Sequence, residues 1–262
     1  VSTNNKRKVY ESHLHTVKSS ADTKIKELQQ LKKESDENPE NSELLLNMAY
    51  ANLTLTSLYL TLSNLAHTYL GTKNESSLNE ARKALTNAIM NLEKVYTPYI
   101  DVPYSDYENH LQKVLHINEF ERYTFILQTG FYCDYLAACY GEQNRYRWMF
   151  TELKGRIAAV FKNSFDLKTL LPQLDPRAPD FARRIGFVNF NRALIMSTAA
   201  NYRKKYELFS HEPMDFRKAI DYLLVMKRFS ILLNRNNDVA ELQKQIDIWS
   251  AKLENDLKKA GH

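Results

Sequence analysis

The chain has 262 residues and a formal net charge of +5, long enough to bury a sizeable core and too weakly charged overall to mark it as a nucleic-acid or membrane binder. Six Gly and seven Pro are few for this length. That scarcity argues against a strand-rich fold, which needs a turn about every 8–12 residues, and points to an all-α chain of long amphipathic helices.

The sequence opens at Val1 with a polar Ser-Thr-Asn-Asn segment and no initiator Met. This reads as a processed or trimmed product, with a signal peptide or lipid-anchored leader removed or a longer chain cut, and leaves a cytoplasmic and an exported location both open. Residues 6–34 predict one long helix, because Leu14, Val17, Ala21, Ile25, Leu28 and Leu31 recur every three or four positions. Its apolar stripe is expected to pack on the next helix or on a second subunit. Asn38-Pro39-Glu40-Asn41-Ser42 then stops the helix and offers Ser42 as the N-cap of the following one.

Residues 44–72 contain no Asp, Glu, Lys or Arg, which invites a transmembrane reading. A spanning helix wants about 20 predominantly apolar residues, whereas this run is studded with Asn47, Asn52, Thr54, Thr56, Ser57, Ser63, Asn64 and His67. A helix buried on most sides within a helical stack is expected instead. Residues 78–96 predict the return helix, ended by Pro98, and 101–105 a loop around Pro103.

A short helix is expected over 107–115, a long one over 118–140, and its partner over 143–161. Tyr123, Phe125, Phe131, Tyr132, Tyr135 and Tyr140 give the long helix more apolar positions than one buried stripe holds. It is therefore enclosed on most sides or contributes to a groove. Cys133 and Cys139 point about 120° apart on a regular helix, too far round for an easy disulfide, so both are expected to be reduced, buried, small apolar residues. Pro172, Pro176 and Pro179 predict a non-helical stretch over 170–179, a hinge or ligand-facing loop. Helices over 180–209, 214–233 and 238–259 follow, with Trp148 and Trp249 as packing anchors.

Charge is uneven along this chain. Glu34 to Glu43 holds five acids and no base, whereas Ala178 to Arg235 holds eleven Lys/Arg against five Asp/Glu. A partner could read that asymmetry, although solvated helix faces are the simpler account of it.

One pattern recurs three times: a helix ending in an aromatic, then a second helix with apolar and small residues at fixed offsets. The copies are Leu65-Ala66-x-x-Tyr69 with Leu78, Ala81, Leu85 and Ala88; Leu136-Ala137-x-x-Tyr140 with Tyr146, Met149 and Leu153; and Ala199-x-x-Tyr202 with Phe216, Ala219, Leu223 and Met226. Small residues let two helix backbones approach closely. These spacings resemble the tetratricopeptide-repeat family, with Met149 and Arg156 standing where that family prefers small side chains. The resemblance implies an all-α solenoid of stacked antiparallel helical hairpins, with about eight or nine helices in a single domain over 1–262. Within it, 1–36 forms the N-terminal helix, 42–165 the first hairpins, 166–179 the Pro-rich loop and 180–262 the C-terminal helices. It further implies that the first helix of each pair, over 44–70, 120–140 and 180–206, lines a concave groove for a peptide or a helix.

On that reading Asn189, Arg192 and Arg203, at helical spacing, could clamp a carboxylate or a partner backbone, and Tyr132 and Tyr135 would add aromatic contacts. There is no phosphate-binding Gly-rich loop, no Cys-x-x-Cys and no His-Glu-x-x-His. His110, His116 and Glu119 make only a fragment of a metal-binding pattern. No catalytic residue, cofactor or metal is expected. The function expected is a non-catalytic protein-interaction scaffold within a larger assembly. The alternatives are a small-ligand or transport-accessory protein, or a binder of nucleic acid or anionic surfaces through the basic region 183–235.

Overall fold

A computed structural model of the chain describes residues 3–141 and 145–259. Among them every regular element is helical: ten α-helices, one 3-10 turn and one π turn. The chain divides into two compact units, Val1–Thr97 with His110–Leu153, and Pro98–Asn109 with Lys154–His262. The expected start of a helix at Gln143 falls outside the described residues.

The first unit begins with α1 (Thr3–Glu37), α2 (Ser42–Leu70) and α3 (Glu75–Tyr96), each packed on the next. The stripe of α1 lies on α2: Ala21 and Leu28 are buried with Met48, Ala51 and Leu55, and Ile25 and Leu31 pack beside them. The N-cap of α2 is Asn41, not Ser42, which is the first helical residue. The Asn41 carboxamide accepts the backbone N–H groups of Glu43 and Leu44, at 3.0 and 3.2 Å, and a longer side chain suits that reach better than a serine hydroxyl one position later. Gly71 closes α2 in the left-handed region at φ 67°, where its N–H meets the His67 carbonyl.

The polar residues of α2 are accommodated locally. Asn52 donates to the Met48 carbonyl at 2.8 Å and Thr56 to the Asn52 carbonyl at 2.9 Å, so both sit buried without an unpaired donor. No helix among the described residues is long and apolar enough to cross a membrane. The small residues of the first hairpin copy are where the pattern places them: Ala81, Leu85 and Ala88 are fully buried on α3, the helix against which α2 packs most extensively.

The α5 helix (Glu119–Tyr140), capped by Asn118, packs on both α3 and α2. Tyr50 meets Phe125 at one end of the α2–α5 seam, rings 5.3 Å apart, and Asn64 meets Tyr135 farther along both chains. The two helices therefore run in the same direction, as successive first helices of stacked hairpins must. Gly141 at φ 90° ends α5. Tyr140 then packs on Tyr146 and on Phe150 of α6 (Arg147–Asn163). Neither Cys133 nor Cys139 is in a disulfide; Cys133 is buried as expected, whereas Cys139 is only half-buried.

In the second unit, α8 (Phe181–Lys205), α9 (Pro213–Leu232) and α10 (Asn236–Lys259) pack in consecutive pairs. Ala199, Tyr202, Phe216, Ala219, Leu223 and Met226, the third copy, share one core with Leu242, Ile246 and Trp249. Tyr206 stacks on Phe216 at 4.9 Å, and Phe216 reaches Trp249 at 5.9 Å. The helix expected to run to residue 209 changes at Lys205 into a π turn over Tyr206–Ser210. The segment expected to be wholly non-helical is not so throughout: α7 (Leu167–Leu170) runs into a 3-10 turn, Leu171–Gln173, with Pro172 tolerated at its start because an N-terminal proline forfeits no helical hydrogen bond. Only the residues after it are irregular. The short helix expected over 107–115 is α4 (Tyr104–Gln112), and α7, which the periodicity does not mark, brings the helices among the described residues to ten.

Candidate functional site

The described residues hold several concavities; one in the second unit, of about 380 Å³, is lined in part by Arg192, Met196 and Asp238, and two more lie one in each unit. The first is an open groove of about 420 Å³ along the α2–α5 seam, lined by Tyr50, Leu53, Thr54 and Ser57 from α2 and by Gln128, Phe131 and Tyr132 from α5. None of these side chains is charged. Tyr50 and Phe131 are each 60% exposed, and Tyr135, the next aromatic along the seam, is 37% exposed. Their positions follow from sequence spacing. Phe131 and Tyr135 lie four residues apart, which on a helix superimposes them, and their rings are nearly parallel at 6.1 Å. Tyr132 meets Phe131 edge to face at 5.6 Å. The Tyr135 hydroxyl accepts from the Asn64 carboxamide at 2.8 Å, fixing that end of the seam.

The second is a cavity of about 550 Å³ within the second unit. Its apolar wall comes from Val102 and Pro103, from Leu167 and Leu171, and from Val225, Phe229 and Leu232 of α9. Its polar groups are Asp101, Tyr104, Tyr107, Lys162, Lys168 and Arg228. Most of these are matched. Arg228 grips the Asp101 carboxylate with both of its terminal nitrogens, and Lys168 pairs with Glu108 at 2.5 Å. The Tyr104 hydroxyl donates to Asp166 at 2.6 Å, and Asp166 also receives the Thr169 hydroxyl. Burial, the Asp166 hydrogen bond and that carboxylate's charge together raise the Tyr104 phenol well above its ordinary value.

Lys162 and Tyr107 differ. The Lys162 ammonium donates to the Val102 carbonyl at 2.7 Å and lies 5.3 Å from the Tyr107 ring centre, with no carboxylate at ion-pair distance among the described residues. Burial lowers its pKa to about 8, with the Asp101 charge opposing and the Arg228 charge adding to that shift. Tyr107 is 1% exposed and its hydroxyl has no hydrogen-bond partner. Desolvation raises the phenol far above its ordinary range, so it remains a neutral donor.

The residues singled out by sequence fall into different places. Tyr132 lines the α2–α5 groove and Tyr135 continues it. Asn189, Arg192 and Arg203 lie on α8 in the second unit, and each is engaged there. Arg192 pairs with Asp238 of α10, the Asn189 carbonyl oxygen accepts from Arg235 at 3.2 Å, and Arg203 pairs with Glu207 at 2.9 Å while lying 5.0 Å over the Trp249 ring. These contacts hold α8 to α10 and to its own π turn. Lys162, Tyr107 and Arg228 were not singled out. Leu171 from the Pro-rich segment does reach the cavity wall, and that segment was the signal in the sequence that pointed towards it.

A family model named for the TP0443 family matches residues 6–257, almost the whole described chain. The chain belongs to the TP0443 family. No curated protein and no solved structure matches it.

Proposed function

We propose that this member of the family is a non-catalytic protein-interaction scaffold whose α2–α5 groove receives an uncharged segment of a partner protein. The observation that carries the reading is the row of exposed aromatics Tyr50, Phe131 and Tyr135 on one rigid seam between two helices. Large aromatics left in solvent on a helical frame, with hydroxyl and amide groups between them, have the composition of an interface centre rather than of ordinary surface. The tetratricopeptide-like spacing adds to this, because it implies that first helices of successive hairpins line the partner's groove, and α2 and α5 are two such helices. With no charged group in the lining, the partner's anchors would be aromatic or aliphatic side chains from a helix or an extended segment.

The basic region 183–235 supports a nucleic-acid reading less well. Of its eleven Lys/Arg, Arg192, Arg203, Lys205, Arg228 and Arg235 each have a carboxylate partner within the chain, so these five are not free cations. Counterion release from a polyanion needs free cations.

Selection of displayed peptides on the intact protein tests the proposal. Selected sequences should carry apolar anchors at helical or alternating spacing, and Phe131→Asp combined with Tyr50→Asp should weaken them at least tenfold without lowering the melting temperature. Peptides that bind the double variant as tightly as the wild type would sink the groove assignment.

A further inference from the structure

We propose that the cavity of the second unit is a binding site for an amphiphilic carboxylic acid, its chain held between α7 and α9 and its carboxylate placed at Lys162 and Tyr107. The assignment rests on which polar groups around the cavity are matched and which are not. Arg228 with Asp101 and Lys168 with Glu108 are closed pairs, and Asp166 is occupied by the hydroxyls of Tyr104 and Thr169. The Lys162 ammonium donates to the neutral Val102 carbonyl and has no carboxylate at ion-pair distance among the described residues, the Asp101 charge acting on it from farther away. Tyr107, which lies against Lys162, keeps a buried hydroxyl with no acceptor. A buried cation and a buried unpaired donor each cost free energy, and one group that accepts from both removes both costs. A carboxylate does so: one oxygen accepts a hydrogen bond from the ammonium and the other a hydrogen bond from the phenol hydroxyl.

The rest of the cavity selects what the carboxylate is attached to. Leu167, Leu171, Val225, Phe229 and Leu232 offer aliphatic and aromatic wall with no hydrogen-bonding side-chain atom, and a volume of about 550 Å³ is within the range of small-molecule sites. A sugar or a polar metabolite would leave its hydroxyls unpaired against this wall, whereas an alkyl chain would not. An amine head would stand beside Lys162 and be repelled. The lowered pKa of Lys162 fits this arrangement, since burial outweighs the Asp101 charge there, and an acid placed beside the ammonium would raise it.

The test uses the full chain and three probes of equal length, dodecanoate, dodecanol and dodecylammonium, each kept monomeric, with binding followed by calorimetry at neutral pH. The acid should bind at least tenfold more tightly than the alcohol, and the amine should bind weakest. Lys162→Met should abolish the preference for the acid while leaving the alcohol's affinity unchanged, and Tyr107→Phe, which keeps the ring and its packing, should weaken the acid several-fold. Replacing Leu171 by Trp should obstruct all three. Equal binding of acid and alcohol to the wild type would overturn the assignment of the head group, as would an acid preference that survives both Lys162→Met and Tyr107→Phe. No binding of any probe would overturn the cavity as a lipid-chain site. Because the groove of the first unit is probed with peptides, either site can fail without the other.

Discussion

The hydroxyl of Tyr222 stands 2.5 Å from the point where a Cβ on Gly155 would lie, and the Thr198 methyl stands 3.3 Å from the same point. Gly155 is thus a close-approach position on α6. Its backbone conformation is an ordinary helical one, so the constraint comes from packing and not from φ. Tyr222 cannot swing aside freely, because it is buried and stacks on Tyr202 at 5.8 Å. Gly155→Ala would gain about 1 kcal/mol of intrinsic helix stability. Overpacking should outweigh this gain and leave a net loss of about 1–2 kcal/mol in denaturant melts. Tyr222→Phe in the same background removes the clashing atom and should recover most of the loss. If Gly155→Ala is stabilising, the approach is looser than the geometry requires.

Ala81 and Ala219 test the hairpin pattern itself. Both are fully buried, Ala81 on α3 and Ala219 in the core shared by α8, α9 and α10. Replacing either by Leu should lower stability by about 1–3 kcal/mol, since a close-packed core has no room for three added carbons. The variants lie in different compact units and should be additive in a chemical melt.

Arg192 holds a half-buried ion pair with Asp238, the Arg192 side chain being 12% exposed. Arg192→Glu should destabilise by about 1–3 kcal/mol, more than an exposed pair would, because it sets two carboxylates together in a poorly solvated place. Adding Asp238→Lys should restore much of the loss. A charge reversal that left the melt untouched would mean that the pair is open in solution and Arg192 free to meet a partner.

Lys162 makes stability depend on pH in an identifiable window. Its pKa is lowered by burial to about 8, against an ordinary value of 10.5 in the unfolded chain. Between those values the unfolded state binds more protons than the folded one, so this group's contribution to stability rises with pH across the window. Below pH 8 the lysine is charged in both states and its desolvation cost is present in full. Asp101, Arg228 and Tyr107 are the other ionisable groups that face it, and they remain in the variant. Denaturant midpoints of the wild type minus those of Lys162→Met should therefore increase from pH 8 to pH 10. A flat difference would show that the ammonium is solvated.

Much of the architecture was legible from local chemistry. The three- and four-residue spacing on α1, the buried alanines of α3 and α9, and the stops at Pro98 and Gly141 each act within a few residues, and the helices form where those signals lie. The one-turn α7 was hidden by nearby prolines, although Pro172 sits where a helical turn tolerates it. Gly155 carries no such signal: nothing in a lone helical glycine reveals which side chain from another helix will lie against it.

The amino-acid order by itself determined that the chain is helical, where its long helices lie and which faces are apolar, because capping, periodicity and backbone sterics are short-range effects. It also marked Tyr132 and Tyr135 as aromatics in excess of a buried stripe. What only the tertiary structure decided is which charges remain unanswered. Arg192 and Arg203 looked free along α8 but find Asp238, Glu207 and the Trp249 ring, whereas Lys162 and Tyr107, fifty-five positions apart, meet beside an apolar cavity with neither fully satisfied. Pairing of charges depends on distances across the fold, and these are set by packing, which sequence spacing does not encode one helix at a time.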